Sequence, residues 1–218
     1  MKKENHKISL EDLTLIEYPL LLDTSALLSY YTKNRNPETL TEKFDEAKKD
    51  YDFFVLMKNY VQNGSNFYIT SLVSNELQNG YSPSFKKKIK KVGYCADHEL
   101  LKLHRKRREK NKMKRILEQA FQDNNKILQF EKDEQILYDV IYNRNLGLKE
   151  KYKLSESDFD FLVSGGVLAK SGRGVALVSN DGGIFRARKD ILNKEKFWPN
   201  KFKFFVREDF LGFEKRGR

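Results

Sequence analysis

YPLLLDTSALLSYY, residues 18–31, drives an apolar run, Leu20 to Leu22, straight into a carboxylate, Asp23, and two hydroxyl residues, Thr24 and Ser25. Three leucines bounded by Pro19 and Asp23 read as a short buried strand. Ala26 to Tyr31 read as the start of a helix, with Thr24 or Ser25 placed to cap it. A carboxylate at the end of a buried strand is costly unless it is paired or hydrogen bonded. Either Asp23 serves a helix start or a cation belongs beside it.

The same pattern recurs along the chain. Phe67 to Ile69 read as a second strand, followed by a Thr70-Ser71 helix start and a helix carrying Glu76 that breaks at Gly80 to Pro83. VALVS, 175–179, reads as a buried strand that ends in Asn180-Asp181-Gly182-Gly183, a second carboxylate at a strand's end. FKFFV, 202–206, makes a last strand. Between them, residues 38–62 carry apolar side chains at three- and four-residue steps. Residues 133–145 do so through Ile136, Leu137, Val140 and Ile141, and Leu154-Ser155 opens a further helix with Ser155 as its cap. Short apolar strands alternating with helices predict an α/β fold of three layers, α/β/α, around a central parallel sheet. Ligands of such sheets bind outside the carboxyl ends of the strands, where Asp23 and Asp181 both stand.

With 218 residues the chain makes one large domain or two small ones. We divide it into a tail, 1–17, an α/β unit, 18–80 and 131–218, and a basic helical insertion, 81–130. No apolar run approaches the about 20 residues that span a bilayer. MKKENHKISLEDL has no apolar stretch behind its basic start, so a soluble cytoplasmic protein without membrane attachment is expected. The single Cys95 makes neither an internal disulfide nor a cysteine zinc site, and His6, His98 and His104 are too few for a His-rich one.

The net charge of +11 is localised. Residues 86–115 hold 14 Lys and Arg against Asp97, Glu99 and Glu109, and the rest of the chain is neutral. A merely solvated helix mixes signs, so this segment reads as a polyanion contact made by Lys86, Lys87, Lys88, Lys90, Lys91, Arg105, Lys106, Arg107, Arg108, Lys112 and Arg115. Tyr81, Phe85 and Tyr94 flank it and suit either base stacking or core packing.

Asp23, Glu76, Asp158 and Asp181, with Asp160 as a fifth, are the acids placed at strand ends or near helix starts. Each has an ordinary reading: Asp23 as a helix cap, Glu76 as a solvated helix residue, Asp158 and Asp160 as first-turn acids favoured by the helix dipole, and Asp181 as turn chemistry. Convergence explains all of them together. Carboxylates meeting without basic partners repel and raise one another's pKa. A hard divalent cation, Mg²⁺ or Mn²⁺, relieves that repulsion and prefers oxygen ligands. It activates water and offsets charge on a phosphodiester, and two such ions sit roughly 3.5–4 Å apart when both are used.

LLLDTSALL, YITSLVSNEL, LSESDFDFLVSGGVLA and VALVSNDGGI together resemble the four acidic motifs of the PIN domain, over about residues 18–80 and 133–190. The resemblance implies a metal-dependent endoribonuclease, a hydrolase acting on RNA phosphodiesters. It implies Asp23, Asp158 and Asp181 as metal ligands, with Glu76 and Asp160 assisting, and Thr24, Ser25 and Asn180 supporting them. Asp158 fits the third acid better than Asp160, because Phe161 and Leu162 follow it as an apolar pair. The long basic insertion departs from compact toxins of toxin–antitoxin pairs. It is more like the minimal protein-only ribonuclease P, which processes tRNA 5′ ends. A non-catalytic RNA-binding or assembly subunit is the alternative. An aspartyl phosphotransferase is disfavoured because Ser25 stands where a second Asp is needed. The RNA target, homodimers or higher oligomers, and any protein partner stay open at this level.

Overall fold

The structure, a computed structural model, describes residues 12, 16–28, 53, 55–57, 59–63, 66–79, 126–196, 201–206 and 209–210. The basic residues 86–115, residues 38–52 of the helix expected over 38–62 and both chain ends lie outside the described residues, as do the flanking aromatics Tyr81, Phe85 and Tyr94.

Four strands form one parallel sheet: β1 (Leu20–Leu22), β2 (Phe67–Tyr68), β3 (Val175–Val178) and β4 (Phe202–Phe205), in the order β2-β1-β3-β4. Leu21 aligns with Tyr68 on one side and Leu177 on the other, and Leu177 aligns with Phe204. Ile69 extends the β2 edge through a single parallel bridge to Ile127. The expected parallel α/β sheet is therefore present. Its two inner strands are apolar at every position because both faces are covered.

The two-residue period of a strand divides the core in two. Leu20, Leu22, Phe67, Ala176 and Val178 pack on one face with Ala26, Leu27, Phe53, Met57, Tyr60, Val73 and Leu77. Leu21, Val175, Leu177 and Phe202 pack on the other with Ile141, Phe159, Leu162, Val167, Ile184 and Ile191. The first face is covered by α1 (Thr24–Leu28), by helical residues within 53–63 and by α2 (Ser71–Asn79). The second is covered by α3 (Lys132–Tyr152), α4 (Glu156–Lys170) and α5 (Gly182–Glu195). Helices on both faces make the three layers.

Local chemistry sets the helix ends. Ser155 caps α4 as expected: its hydroxyl accepts from the Asp158 N–H at 3.1 Å, and the Asp158 carboxylate accepts from the Ser155 N–H at 3.0 Å. The start of α1 differs from expectation. The helix begins at Thr24, two residues early, because Asp23 itself holds the cap position. Its carbonyl accepts from the Ala26 and Leu27 N–H groups, and its carboxylate accepts from the Ser25 N–H at 3.3 Å. The hydroxyls of Thr24 and Ser25 are thereby released for other partners.

α3 also differs. It runs past the expected 133–145 to Tyr152 and ends at Lys153 in a left-handed conformation, φ 52°. Its inward line is Glu134, Ile141 and Asn145, whereas Ile136 and Val140 are exposed. The polar members bury because they are paired. Glu134 accepts from Arg173 at 3.1 Å, and Asn145 donates to Glu195 at 2.7 Å. Glu195 is further held by Arg144 at 3.1 Å and Lys170 at 3.4 Å, which ties α3, α4 and α5 together.

α4 lies close on the sheet. A Cβ at Gly165 would stand 2.7 Å from a methyl of fully buried Leu177, so glycine lets the helix approach β3. Gly165→Val is expected to lower stability by about 1–3 kcal/mol through overpacking. Urea denaturation measures it, and an unchanged midpoint would refute the close approach.

Candidate metal centre

In a parallel sheet all strand ends point one way, and the order β2-β1-β3-β4 reverses direction between β1 and β3. Asp23 directly follows β1 and Asp181 stands three residues after β3, so both flank that switch point. The backbone pins Asp23, whose N–H donates to the Val178 carbonyl at 3.1 Å.

Ser179 joins the two acids. Its hydroxyl donates to Asp23 Oδ2 at 2.8 Å and accepts from the Asp181 N–H at 3.1 Å. The Ser25 hydroxyl donates to the same Asp23 oxygen at 2.5 Å, lies 3.2 Å from the Ser179 hydroxyl, and accepts from the Asn180 N–H at 2.9 Å. Asp181 caps α5 through Oδ1, which accepts from the Gly183 and Ile184 N–H groups at 2.5 and 3.0 Å. Thr24 donates to Glu76 Oε2 at 2.6 Å, drawing α2 to the start of α1.

Asp23 forms the buried floor, only 2% exposed, while Asp158 and Asp181 are half-buried and Glu76 is exposed. Burial pushes the Asp23 carboxyl up to about 7, reinforced by the charges of Asp158 and Asp181 and opposed by the Ser25 and Ser179 hydroxyls. Asp158 is also raised, first by burial, then by Asp181 and Glu76, with the Ser155 bonds acting against this. Asp23 thus feels the charges of Asp158 and Asp181, and Asp158 those of Asp181 and Glu76, although Asp23 and Asp181 lie more than 150 residues apart in the chain.

None of the four pairs with a Lys or Arg among the described residues. Each also uses a single carboxylate oxygen for its hydrogen bonds. Asp23 uses Oδ2, Asp158 Oδ2, Asp181 Oδ1 and Glu76 Oε2, and among the described residues no donor meets the other oxygen. A tethered oxygen that orients the group, with the second oxygen unbonded among the described residues, suits a hard cation. As the side chains stand, no three of Asp, Glu, His or Cys among the described residues are arranged to hold an ion.

Asp160 has partners of its own among the described residues. Two residues past Asp158 is about 200° round the helix. Its carboxylate accepts from the Tyr138 hydroxyl at 2.7 Å, is bonded by the Thr70 side chain, and senses Glu156. Among the supporting residues, Thr24 serves Glu76, Ser25 serves Asp23, and Asn180 contributes its N–H. Ser179 went unnoticed in the sequence. The signal was there, a hydroxyl residue directly after VALV and two before Asp181, but a serine at a strand end is ordinary turn chemistry until its partner on β1 is known.

No family model, no curated protein and no solved structure matches this chain. No described helix is long and apolar enough to cross a membrane.

The raised Asp23 carboxyl has a pH consequence. The folded chain holds this proton more tightly than the unfolded chain, where the ordinary value is 3.8. The resulting stabilisation is full below about pH 4 and is lost as pH rises towards 7. Asp23→Asn should therefore raise the melting temperature above pH 7 in the presence of a chelator, with the gain shrinking to nothing near pH 4. Thermal melts across that range decide it, and a gain independent of pH would contradict the assignment.

Proposed function

We infer that this chain is a divalent-metal-dependent endoribonuclease of the PIN type, with Asp23, Asp158 and Asp181 as the residues that would hold Mg²⁺ or Mn²⁺ and Glu76 at the rim. The observation that carries the reading is that Asp23 feels the charges of Asp158 and Asp181, and Asp158 those of Asp181 and Glu76, without a basic partner among the described residues, at the switch point of a parallel sheet. When bound, the cation supplies Lewis-acid charge that activates water towards a phosphodiester and offsets charge on the departing oxygen. Asp23 is the fixed floor, held by its backbone and by two hydroxyls. Asp158 and Asp181 sit at the starts of α4 and α5, where capping bonds hold their orientation. Glu76 lies on the solvent side and is suited to orienting the attacking water. The substrate class follows from charge. The 86–115 segment carries the chain's entire net positive charge and would grip a phosphate backbone without reading its sequence. RNA in preference to DNA rests on the resemblance of the four motifs.

RNA incubated with Mn²⁺ should be cut, and Asp23→Asn or Asp181→Asn should slow cleavage by about 100-fold or more, since even outer-shell partners of metal ligands are worth 10–100-fold. Mn²⁺ should also raise the melting temperature of the parent chain and not that of either variant. Asp160→Asn should lose stability but keep the Mn²⁺-induced shift, because its carboxylate bonds Tyr138 and Thr70. Intact RNA in every reaction, with binding retained, would make the chain a binding subunit.

The basic segment makes a separate prediction. Changing Arg105, Arg107, Arg108 and Arg115 to Gln should reduce the slope of log affinity against log salt by about 3 for single-stranded RNA. Filter binding at several salt concentrations measures this, and an unchanged slope would remove the segment from the interface.

A further inference from the structure

α5 carries an arginine with no acid in bonding range. Arg188 is half-buried, yet among the described residues its guanidinium donates no hydrogen bond and forms no ion pair. Arg144 and Arg173, by contrast, each meet a buried glutamate, Glu195 and Glu134. Arg188 lies instead against two aromatic rings. Its guanidinium carbon stands 3.8 Å from the centre of the Phe185 ring and 4.7 Å from that of Phe204, and the two rings meet at 72°. Phe185 precedes Arg188 by about one turn of α5, and Phe204 belongs to β4, an edge strand of the sheet. Burial pulls the proton affinity of Arg188 down, opposed by the charge of Asp209. A guanidinium set over rings gains cation–π attraction and still keeps its N–H donors for an acceptor. Its place is also informative. Arg188 follows Asp181 by about two turns, so it falls on the Asp181 side of α5, about 10 Å along the helix.

We propose that Arg188, on its platform of Phe185 and Phe204, is a phosphate subsite that holds the RNA backbone a short way along the strand from the acids. The choice of ligand rests on the RNA reading above; the subsite rests on the unpaired guanidinium. A half-buried cation without a partner is costly, and an arriving anion removes that cost. The rings hold the group in place before the ligand comes, so little further ordering is lost on binding. A phosphate accepts two parallel N–H bonds from one guanidinium, which an ammonium cannot offer. Phosphates are the acceptor that fits this chain, because its localised net charge of +11 marks it for a polyanion. Asp23, Asp158 and Asp181 repel a phosphate backbone when no cation neutralises them. Arg188 gives that backbone a hold that does not depend on a metal. The contact positions the strand and reads no sequence.

Fluorescence anisotropy of a labelled single-stranded RNA oligonucleotide with the full chain tests this, in chelator so that nothing is cut. Arg188→Met keeps an apolar stem over the rings and removes the charge. It should weaken binding about tenfold and lower the slope of log affinity against log salt by about 0.7. Arg188→Lys should keep the parent's slope and still lose affinity several-fold, because a point charge does not replace the planar fork. Arg186→Met, at an exposed position on the same helix, should stay within about twofold of the parent. A purely structural Arg188 would lower the melting temperature and leave the slope untouched. Should Arg188→Met melt below the assay temperature, Arg188→Lys decides, and parental affinity there overturns the proposal. RNA binding by Arg188→Met with the parent's slope overturns the subsite and leaves the RNA reading standing, as does an equal loss in Arg186→Met. A parent chain that binds no RNA overturns both. The expected Arg188 losses in a chain that fails to cut RNA with Mn²⁺ support the subsite and remove the nuclease reading alone.

Discussion

Everything in this structure turns on the strand ends, where carboxylates feel one another's charge without a basic partner among the described residues. Parallel pairing of β1 and β3 fixes where Asp23 and Asp181 emerge, and neither can withdraw. The Asp23 N–H and carbonyl are both committed to backbone bonds, and Asp181 is fastened to the first turn of α5. Repulsion is tempered by what surrounds them. The hydroxyls of Ser25 and Ser179 stabilise charge on Asp23, and the positive ends of α4 and α5 lie behind Asp158 and Asp181. The residual cost appears as raised proton affinity at Asp23 and Asp158.

The buried acids elsewhere in the chain make the contrast clear. Glu134 is answered by Arg173, and Glu195 by Arg144, Lys170 and Asn145. Those carboxylates hold helices together, and each has a base beside it. Asp23, Asp158, Asp181 and Glu76 have no such base among the described residues, and buried Asp160 is held by the Tyr138 hydroxyl in place of one. The same chain thus treats buried charge in two ways. Ion pairs brace the α3–α4–α5 layer, and that braced layer holds the first turns of α4 and α5 where the unpaired acids sit. Gly165 contributes by letting α4 settle close to β3.

Much of the local structure was legible because its causes are local. Three leucines between Pro19 and Asp23, VALV before SND, and Ser155 three residues ahead of Asp158 each announce an element through spacing and capping chemistry. The errors also have physical reasons. The start of α1 was misplaced because Thr24 and Ser25 look like caps until Glu76 and Asp23 are known to hold their hydroxyls. The inward face of α3 was misread because apolar spacing favoured Ile136 and Val140. Burial of Glu134 and Asn145 depends on Arg173 and Glu195, which lie 39 and 50 residues away.

Sequence alone sufficed for the α/β class, the acids worth naming and the address of the positive charge, since periodicity, residue type and charge density all reside within short windows. Tertiary structure was needed to bring Asp23, Asp158 and Asp181 within reach of one another's charge, to give Asp160 the Tyr138 hydroxyl as a partner, and to reveal Ser179 as the link between two strands. Those relations are distances between residues far apart in the chain, and only strand order and helix phase convert such separations into contact.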